Sequence, residues 1–586
     1  MEPLVKIPII AVVIAIFFTA CSKDDNFSIT PALEMKTAIL NKDIVTLQKI
    51  IAASENNVMV ISVSTMSNGR YSISLSNGET LSIYPKLTDL SIPKIEITNE
   101  NNKYYWGNWL TDAFGETRIA VTNPLNPIIG IDSKGYWTVA IGDDIKRLEK
   151  TEIGSSTIPE NNFGYLLSVT ESTTHVNFLI GSKNIQLTKY IPVPHDPVKL
   201  PTLVVNTSGR DVSSKDTWIT NASYTLLDQS GKEIMKGTTD IKGRGNFTWN
   251  LPKKPYSLKL TSKASLLGMP SHRRWTLLAN YIDKTLLRTE VAFKMSEILD
   301  NIPWTPRSEQ IDFHLNNSYE GVYQLVEAIK LDVNRVKVSS TISDKNPDGG
   351  YLLEIDGRWG EIFAFSTTTG VVFCCSDPDD GLDKIISGES RSILDKIKAD
   401  VQHVEDVLYS NNFTDPENGY RKYIDVPSFI DWYLVNEITK NFDSNFYTSV
   451  FLFFDPDEKK YFMGPVWDFD TALGNADFSD IDKPEGFWVK NEKWPKRLFE
   501  DPYFVGALKT RWNEKKASLE ALSQFIDERA AFLDDAQKLN FTRWKILDTN
   551  VWPSPISTGN YQSEIIYMKS YLSMRLRWLD TAINNL

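Results

Sequence analysis

The sequence predicts an α+β fold in which a two-lobed domain follows a short helix and at least one small all-β module. Three observations predict it. Runs of alternating apolar and polar residues fill positions 57–190, mixed strands and helices follow a proline-rich joint, and the last third of the chain is mostly helical. The 586 residues also require more than one core, since a single core stops growing at about 250–300 residues.

The N-terminus predicts a bacterial lipoprotein. Lys6 precedes the apolar run IPIIAVVIAIFFTA, which ends at Cys21 and is too short to span a membrane comfortably. The segment FTAC resembles a lipobox, so residues 1–20 are expected to be a signal peptide and Cys21 to be lipidated and attached to the membrane. The following SKDDN resembles a tag for surface display on the outer membrane. The alternative is a plain signal peptide with an incidental cysteine.

Residues 21–56 are interpreted as a tether with a short helix, because apolar residues recur at near-helical intervals over 32–53. The helix could be a stalk or the start of a coiled coil. Residues 57–190 form the β-rich module, with Asn-Gly hairpin turns in SNGR and SNGE. Its aromatic residues are expected mainly in the core, with glycan stacking as the alternative. This region resembles N-terminal modules of surface lipoproteins that precede carbohydrate-active domains.

A proline-rich linker is expected at 191–201, and the two-lobed domain at 202–586. Within this domain the strands PTLVVNT, SYTLLD and YSLKL precede a helix over about 286–299. Three further strands follow, QIDFHLNN, EGVYQLVE and GGYLLEID, and the chain is mostly helical from Ser392 except for one hairpin. The adjacent Cys374 and Cys375 predict two buried strand thiols, because neighbouring cysteines bridge only with strain.

The net charge of -12 and the pI of about 5.2 argue against a nucleic-acid partner, which requires a basic face. Two glycines in KGRGNFTWNLPKKPYSLKL, residues 242–260, could instead let backbone amides approach a smaller anion. Lys259 on the following strand could fix a phosphate. The alternative is a plain hairpin with basic flanks.

A helical carboxylate could pair with the strand lysine, as it does in kinases. Glu290 on the predicted helix is one candidate, and Glu327 and Glu354 on later strands are rivals. The alternative for Glu290 is a solvated helix charge. Spacing alone leaves the choice between the three carboxylates open.

Three aspartates carry the strongest signal. Asp443 lies in NFDSN directly after an amphipathic helix, and Asp468 and Asp470 lie in GPVWDFDTALGN after one hairpin. Carboxylates suit Mg²⁺, which binds through one or two of them and completes its shell with water and phosphate oxygens. This order repeats that of a kinase catalytic loop and metal loop, without an HRD sequence. The alternative is a structural turn. Hydrolysis by the Asp468 and Asp470 pair is disfavoured, on the expectation that two carboxylates two residues apart on a strand point to opposite faces and do not flank one scissile bond.

From about Leu200 onward the chain resembles the CotH family of atypical, secreted protein kinases. The resemblance lies in GRGNFTW with KKPYSLKL, RRWTLLANYIDKTLLR, YEGVYQLVE, GGYLLEID and GPVWDFDTALG. It implies a diverged, two-lobed kinase fold and ATP-dependent protein phosphorylation. It also implies a catalytic group of Asp443, Lys259 and Glu290 or Glu327, a metal bound by Asp468 and Asp470, and nucleotide contacts from Arg244, Gly245, Lys254, Arg288 and Trp467.

Two functions follow as hypotheses. In the first, Mg²⁺ or Mn²⁺ assists transfer of a phosphoryl group from ATP to a Ser or Thr of an unknown acceptor protein at the surface or in export. In the second, the kinase-like body is inactive and the protein is a surface adhesin whose β module binds glycans. Convergence of Asp443, Asp468 and a phosphate-facing lysine in one cleft would favour the first, and scattered positions would argue against it.

Overall fold

The structure is a computed structural model, and it confirms the α+β class. It describes residues 31–56, 58–65, 71–76, 79–83, 97–100, 103–106, 119–122, 127–132, 136–152, 166–180, 183–189, 198–343, 345–358, 363–378 and 391–586. Cys21 and most of the predicted linker lie outside these residues. The chain forms two compact units, the first made of residues 1–75 and 79–190 and the second of residues 76–78 and 191–586.

The first unit packs one helix against small antiparallel sheets. Helix α1 spans Pro31–Glu55. The sheets are β1-β2-β3, β4-β5, β6-β7-β8 and β11-β10-β9. Their strands are β1 Val60–Thr65, β2 Tyr71–Leu75, β3 Thr80–Ile83, β4 Ile97–Glu100, β5 Lys103–Trp106, β6 Ile128–Ile131, β7 Tyr136–Ile141, β8 Asp144–Glu152, β9 Leu166–Glu171, β10 His175–Ile180 and β11 Lys183–Thr188.

The apolar face of α1 is part of this unit's core. Leu40, Ile44 and Leu47 are buried in the same cluster as strand residues such as Val176 and Phe178. The helix therefore uses its apolar stripe inside the unit, which differs from the free stalk or coiled coil that the sequence suggested. Among the described residues, no helix has the length and apolarity needed to cross a membrane.

The tryptophans described in the first unit are core residues. Trp106 and Trp137 are buried in the same cluster as the α1 residues. Their rings are therefore not available for stacking on a glycan, which agrees with core packing as the main role of these aromatics. Trp109 lies outside the described residues.

The second unit begins with a closed barrel in the order β12-β13-β14-β15-β16-β18-β17. Parallel pairing of β12 with β17 closes it, and the other pairs are antiparallel. The alternating apolar residues of these strands form a core of their own. The strands are β12 Thr202–Asn206, β13 Ile219–Leu227, β14 Glu233–Gly243, β15 Tyr256–Ala264, β16 His272–Leu278, β17 Ser308–Leu315 and β18 Ser318–Glu327, with helix α2 Arg288–Leu299 between β16 and β17.

A helical lobe follows, built on an antiparallel sheet of order β20-β21-β19-β22-β23. Its strands are β19 Tyr351–Ile355, β20 Ala364–Ser366, β21 Val372–Asp377, β22 Val450–Asp455 and β23 Lys460–Met463. Its helices are α3 Arg391–Leu408, α4 Val426–Thr439, α5 Lys493–Leu498, α6 Pro502–Glu520, α7 Leu522–Phe532, α8 Asp534–Arg543 and α9 Tyr561–Asn584. Cys374 and Cys375 on β21 are buried and are not bridged to each other, as predicted.

Helix α4 is the central helix of this lobe, and almost every residue in it is buried. Asp425 caps its N-terminus by accepting a hydrogen bond from the Ser428 N–H at 2.8 Å. Lys440 ends it in the left-handed conformation, with φ of 45°. The helix thereby fixes the starting point and direction of the loop 441–449, which carries Asp443.

Candidate active site

A cleft of about 540 Å³ opens in the second unit, with walls from the barrel and from the helical lobe. Its barrel wall includes the turn that follows β14, and its opposite wall includes the loop 441–449 and the loop after β23. Charged residues from both walls line it: Lys215, Asp216, Lys242, Arg244, Lys253, Glu354, Asp356, Arg358, Asp443, Asp468 and Asp470.

The three aspartates predicted from the sequence meet in this cleft. The carboxyl groups of Asp443 and Asp468 are in hydrogen-bonding contact. Burial, reinforced by the charge of Asp468, raises the pKa of Asp443 to about 7, although Arg358 opposes the shift. Burial followed by the charges of Asp468 and Asp443 raises the pKa of Asp470 well above its ordinary value. The cleft thus concentrates negative charge that a cation would stabilise.

Side chains from two loops hold these aspartates together. Asn441 donates from Nδ2 to the Trp467 carbonyl at 3.3 Å and accepts the Asp443 N–H on its Oδ1 at 3.3 Å. Ser449 donates from Oγ to Asp468 Oδ2 at 3.4 Å. The loop after α4 and the loop after β23 are therefore joined at their polar residues, which fixes the spacing of the two carboxylates.

The WDFD segment is not a strand, because β23 ends at Met463. Asp468 has a left-handed backbone with φ of 65°, while Phe469 is fully buried. The carboxylates of Asp468 and Asp470 consequently line the same cleft. The argument that we used against this pair was therefore wrong for two reasons: residues i and i+2 of a strand share a face, and the segment is not a strand.

On the barrel side, Gly243, Arg244 and Gly245 form the turn between β14 and the strand that follows. Gly245 has φ of 79°, and a Cβ at this position would overlap the Thr248 hydroxyl, so the turn needs glycine. The guanidinium carbon of Arg244 lies 5.3 Å from the centre of the Trp467 ring. This contact places a cation and an aromatic ring from opposite walls side by side.

The charge of Arg244 is balanced by acids in the cleft. Burial lowers the pKa of Arg244, whereas the carboxylates of Asp468, Glu354 and Asp470 act in the opposite direction. Arg244 is therefore a cation of the barrel wall that interacts electrostatically with Asp468 and Asp470. The resemblance had assigned the phosphate contact to Lys259 and a nucleotide contact to Arg244.

Lys259 is not among the described residues that line the cleft. It lies on β15 opposite Asp240 of β14 and Arg274 of β16. Lys254 is also outside the lining, and its Nζ donates to the Trp249 carbonyl at 2.6 Å. The strand lysine predicted for phosphate therefore lies further along the barrel than the cleft reaches.

Lys253 lines the cleft instead. Its Nζ donates to the Val322 carbonyl at 2.5 Å and to Asn540 Oδ1 at 3.0 Å. Burial lowers the pKa of Lys253 to about 7, and the charges of Asp312 and Glu320 oppose the shift. This lysine already has two oxygen partners from the protein, so its structural role is the better supported one.

The predicted pairing of Lys259 with Glu290 or Glu327 is not formed. Glu290 forms an ion pair with Arg529 and accepts a hydrogen bond from Gln310 Nε2 at 3.1 Å. The fully buried Glu327 pairs with Arg307 Nε at 2.8 Å.

Both carboxylates are therefore bound to arginines outside the cleft. Glu354, the third rival, does line the cleft beside Arg244.

Arg288 is fully buried, and its side chain donates hydrogen bonds inside the protein. Its Nη1 donates to Asp283 Oδ1 at 2.6 Å, and its Nε donates to the Ala472 carbonyl at 2.9 Å. The side chain therefore supports the segment directly after Asp470. It is not among the described residues that line the cleft.

The donors fit a hard divalent cation. The aspartates offer only oxygen atoms, and Mg²⁺ needs one or two carboxylates while water and phosphate supply the rest. The described residues contain no group of three or more His, Cys, Asp or Glu side chains with the geometry of a complete metal site. Asp468 and Asp470 supply the number of carboxylates that such an ion needs from the protein.

Asp356 and Arg358 are cleft residues that we did not predict. They follow Glu354 at intervals of two residues in GGYLLEIDGR, at the end of β19. Residues at this spacing share one face of a strand, so the position of Glu354 could have predicted that Asp356 and Arg358 lie on the same face. Asn441 was also missed, since nothing in a polar loop distinguishes a bridging amide from a solvated one.

A β-barrel lobe with a glycine turn and a helical lobe that supplies two loops with aspartates to the same cleft together define a kinase-like protein. A model of the family described as CotH kinase protein matches residues 241–579, more than half of the chain. The chain belongs to this family, which confirms the resemblance and supports a kinase-related function. A second model, described as a domain of unknown function, matches residues 23–149. A comparison with curated proteins gives no match.

Proposed function

We propose that the second unit is a protein kinase that transfers the γ-phosphoryl group of ATP to a Ser or Thr hydroxyl of an exported or surface protein. The observation that carries the proposal is the convergence of Asp443, Asp468 and Asp470 in one cleft. Family membership supports the same reaction class. The all-oxygen donor set supports Mg²⁺ or Mn²⁺ as the metal.

Each aspartate has a role that follows from its position. Asp468 and Asp470 would hold the metal, which neutralises charge on the phosphates when it is bound. Asp443 would accept the proton of the acceptor hydroxyl as its oxygen bonds to the γ-phosphorus and ADP leaves. Arg358 and Asp468 influence the pKa of Asp443 in opposite directions, so this proton acceptor is electrostatically tuned by its neighbours.

The nucleotide would lie under the glycine turn. The Gly245 backbone can approach phosphate closely because it carries no side chain. Arg244 can balance phosphate charge, and the Trp467 ring beside it offers an apolar face for the base or ribose. In this arrangement Arg244 takes the place that the sequence assigned to Lys259.

Calorimetry with the full chain tests the proposal directly. The wild type should bind ATP in the presence of Mg²⁺, while Asp468→Ala should lose at least tenfold in affinity because a metal ligand is missing. Asp443→Asn should still bind ATP but lose transfer of ³²P to acceptor proteins. Absence of ATP binding with both Mg²⁺ and Mn²⁺ would refute the kinase proposal.

The lipoprotein assignment is a proposal as well. We propose that Cys21 is acylated and tethers the protein to the outer membrane, with the globular units displayed at the surface or acting during export. The apolar run before Cys21 supports this. Metabolic labelling with a radioactive fatty acid should mark the wild type and not Cys21→Ser, and equal labelling of both would contradict it.

One observation favours a non-catalytic binding protein as the second candidate. Lys253, the buried lysine that lines the cleft, is already engaged by Val322 and Asn540, and Lys259 is not among the described lining residues. A kinase-like body without a lysine on the phosphates would resemble a pseudokinase. The calorimetric experiment separates the two functions, because only the kinase requires metal-dependent ATP binding.

A further inference from the structure

The turn formed by Asp356, Gly357 and Arg358 is built directly onto the loop that carries Asp443. The Gly357 N–H donates to the Tyr447 carbonyl at 2.7 Å, and Thr448 donates from Oγ1 to Asp356 Oδ1 at 3.3 Å. A Cβ at Gly357 would overlap the Tyr447 ring, so the close approach of the turn to the loop depends on glycine. The position of this turn is therefore fixed relative to the loop 441–449.

Asp356 orients the guanidinium of Arg358. Nε and Nη2 of Arg358 donate to Oδ1 and Oδ2 of Asp356, both at 2.8 Å, which is the bidentate geometry of a strong charge-assisted pair. The Arg358 side chain remains 37% exposed and lines the cleft. Among the described residues, none bonds to its Nη1, so this end of the fork can meet a ligand.

The surroundings keep Arg358 charged. Burial opposes its charge, but its hydrogen bonds to Asp356 and the negative charges of Asp356, Asp443 and Glu354 together raise the pKa of Arg358 above the ordinary value. Arg358, in turn, is the main positive charge that lowers the pKa of Asp443 and so stabilises its carboxylate. Arg358 therefore shares the cleft with the group that would accept the acceptor's proton.

Two arginines thus reach the cleft from different lobes. Arg244 comes from the barrel turn and lies against Trp467, next to the proposed metal ligands. Arg358 comes from the end of β19 in the helical lobe and lies with the Asp443 loop. During transfer the γ-phosphorus must come close to both the acceptor oxygen and the group that takes its proton. The arginine attached to that loop is therefore the one placed for the γ-phosphate.

We propose that Arg358 binds the γ-phosphoryl group of ATP and stabilises its charge during transfer, with Asp356 as the residue that positions it. The inference rests on the proposed kinase function and adds a residue to it. As the bond between the γ-phosphorus and the β,γ-bridging oxygen breaks, ADP leaves with the electron pair, the acceptor oxygen bonds to phosphorus, and its proton passes to Asp443. A planar guanidinium suits this role because its fork matches phosphate oxygens.

The test compares ATP with ADP, which lacks the γ-phosphate. Calorimetry of the full chain with Mg²⁺ should show that Arg358→Met lowers the affinity for ATP at least tenfold and changes that for ADP less than twofold. Arg358→Lys keeps the charge and loses the fork, so it should fall between the wild type and Arg358→Met. Lys236→Met removes a positive charge from a 72% exposed side chain on the barrel and should leave both affinities unchanged.

The outcomes separate the inference from the function on which it rests. Equal losses of ATP and ADP affinity in Arg358→Met, or no loss of either, would overturn the role of Arg358 while the kinase proposal stands. A wild type that binds neither nucleotide would overturn both. If Arg358→Met has a lowered melting temperature, the ATP and ADP affinities of Arg358→Lys are compared instead. A folding defect would lower both affinities, whereas loss of the γ-phosphate contact would lower only the affinity for ATP.

Discussion

A buried ion pair between two helices of the helical lobe should be essential for stability. Arg575 of α9 and Glu437 of α4 are both fully buried, with Arg575 Nη2 2.6 Å from Glu437 Oε1. Arg575 also donates from Nη1 to the Pro484 carbonyl at 2.8 Å and the Gly486 carbonyl at 2.6 Å. We predict that Arg575→Met destabilises this unit severely.

The expected magnitude follows from what the substitution leaves behind. Removing one partner of a buried pair costs about 3–5 kcal/mol, because the other charge stays buried without compensation. Glu437 would keep the backbone N–H groups of Trp488, Val489 and Lys490, which moderates the loss. The carbonyls of residues 484 and 486 would lose their donor, which adds to it. An expected loss of about 3–5 kcal/mol is therefore a large part of the stability of a typical domain.

Urea denaturation followed by tryptophan fluorescence can measure this loss. Most tryptophans lie in the second unit, so the signal reports mainly on it. Lys545→Met, at an exposed position between α8 and α9, is the control and should change the free energy of unfolding by less than about 0.5 kcal/mol. Adding Glu437→Gln to Arg575→Met should recover part of the loss, because the remaining buried charge is then removed. A loss of under about 1 kcal/mol for Arg575→Met would refute the reasoning.

Three further predictions concern the cleft and the barrel. Gly245→Ala should weaken binding of ATP with Mg²⁺ about tenfold, because the left-handed backbone disfavours a Cβ and the site has no room for it. The control is Gly231→Ala, at a similar φ but in open space, which should leave ATP binding unchanged. Equal effects of the two substitutions would contradict this prediction. Trp467→Ala should weaken the same binding about three- to thirtyfold by removing the ring beside Arg244, and Trp467→Phe should bind more like the wild type. Equal ATP affinities of the wild type and both variants in calorimetry would contradict this prediction. Burial lowers the pKa of His272 to about 4, so the folded state disfavours the imidazolium and stability is lost as the pH falls from 6.5 to 4. His272→Asn should remove up to about 3 kcal/mol of this pH dependence in urea titrations, and parallel wild-type and variant curves would count against it.

The sequence predicted the parts of the site that are local. Asp443 follows a helix, and Asp468 and Asp470 follow a hairpin, so the order of elements was enough to bring them together. The prediction of two buried thiols on one strand succeeded for a similar reason, since strand pattern and disulfide geometry are both short-range properties.

The ion pairs could not be predicted because their partners are distant in the chain. Glu290 is bound by Arg529 of α7, and nothing near Glu290 in the sequence marks that arginine. Glu327 is held by Arg307 across β17 and β18, a contact that depends on register. Spacing gave three equivalent carboxylates, and tertiary packing selected the third, Glu354, for the cleft.

The backbone conformation of the loop after β23 was the other feature that the sequence did not predict. Asp468 adopts a left-handed conformation that is uncommon for residues other than glycine, and no pattern of residue types predicts it. Such conformations persist where the surroundings over-determine them, and they concentrate at functional sites. The place where strand periodicity failed is therefore the place where the proposed metal ligands lie.

The segment after Asp470 is held by buried cations that bind its backbone. Arg288 donates to the Ala472 carbonyl, Lys440 to the carbonyls of Asp480, Lys483 and Glu485, and Arg575 to those of residues 484 and 486. Each cation loses solvation on burial, and burial lowers the pKa of Lys440 to about 8. These contacts form as the lobe folds, and the same segment contributes Phe478 to the cleft. Since one set of contacts serves stability and cleft geometry together, Arg575→Met should weaken ATP binding even under conditions in which the protein remains folded.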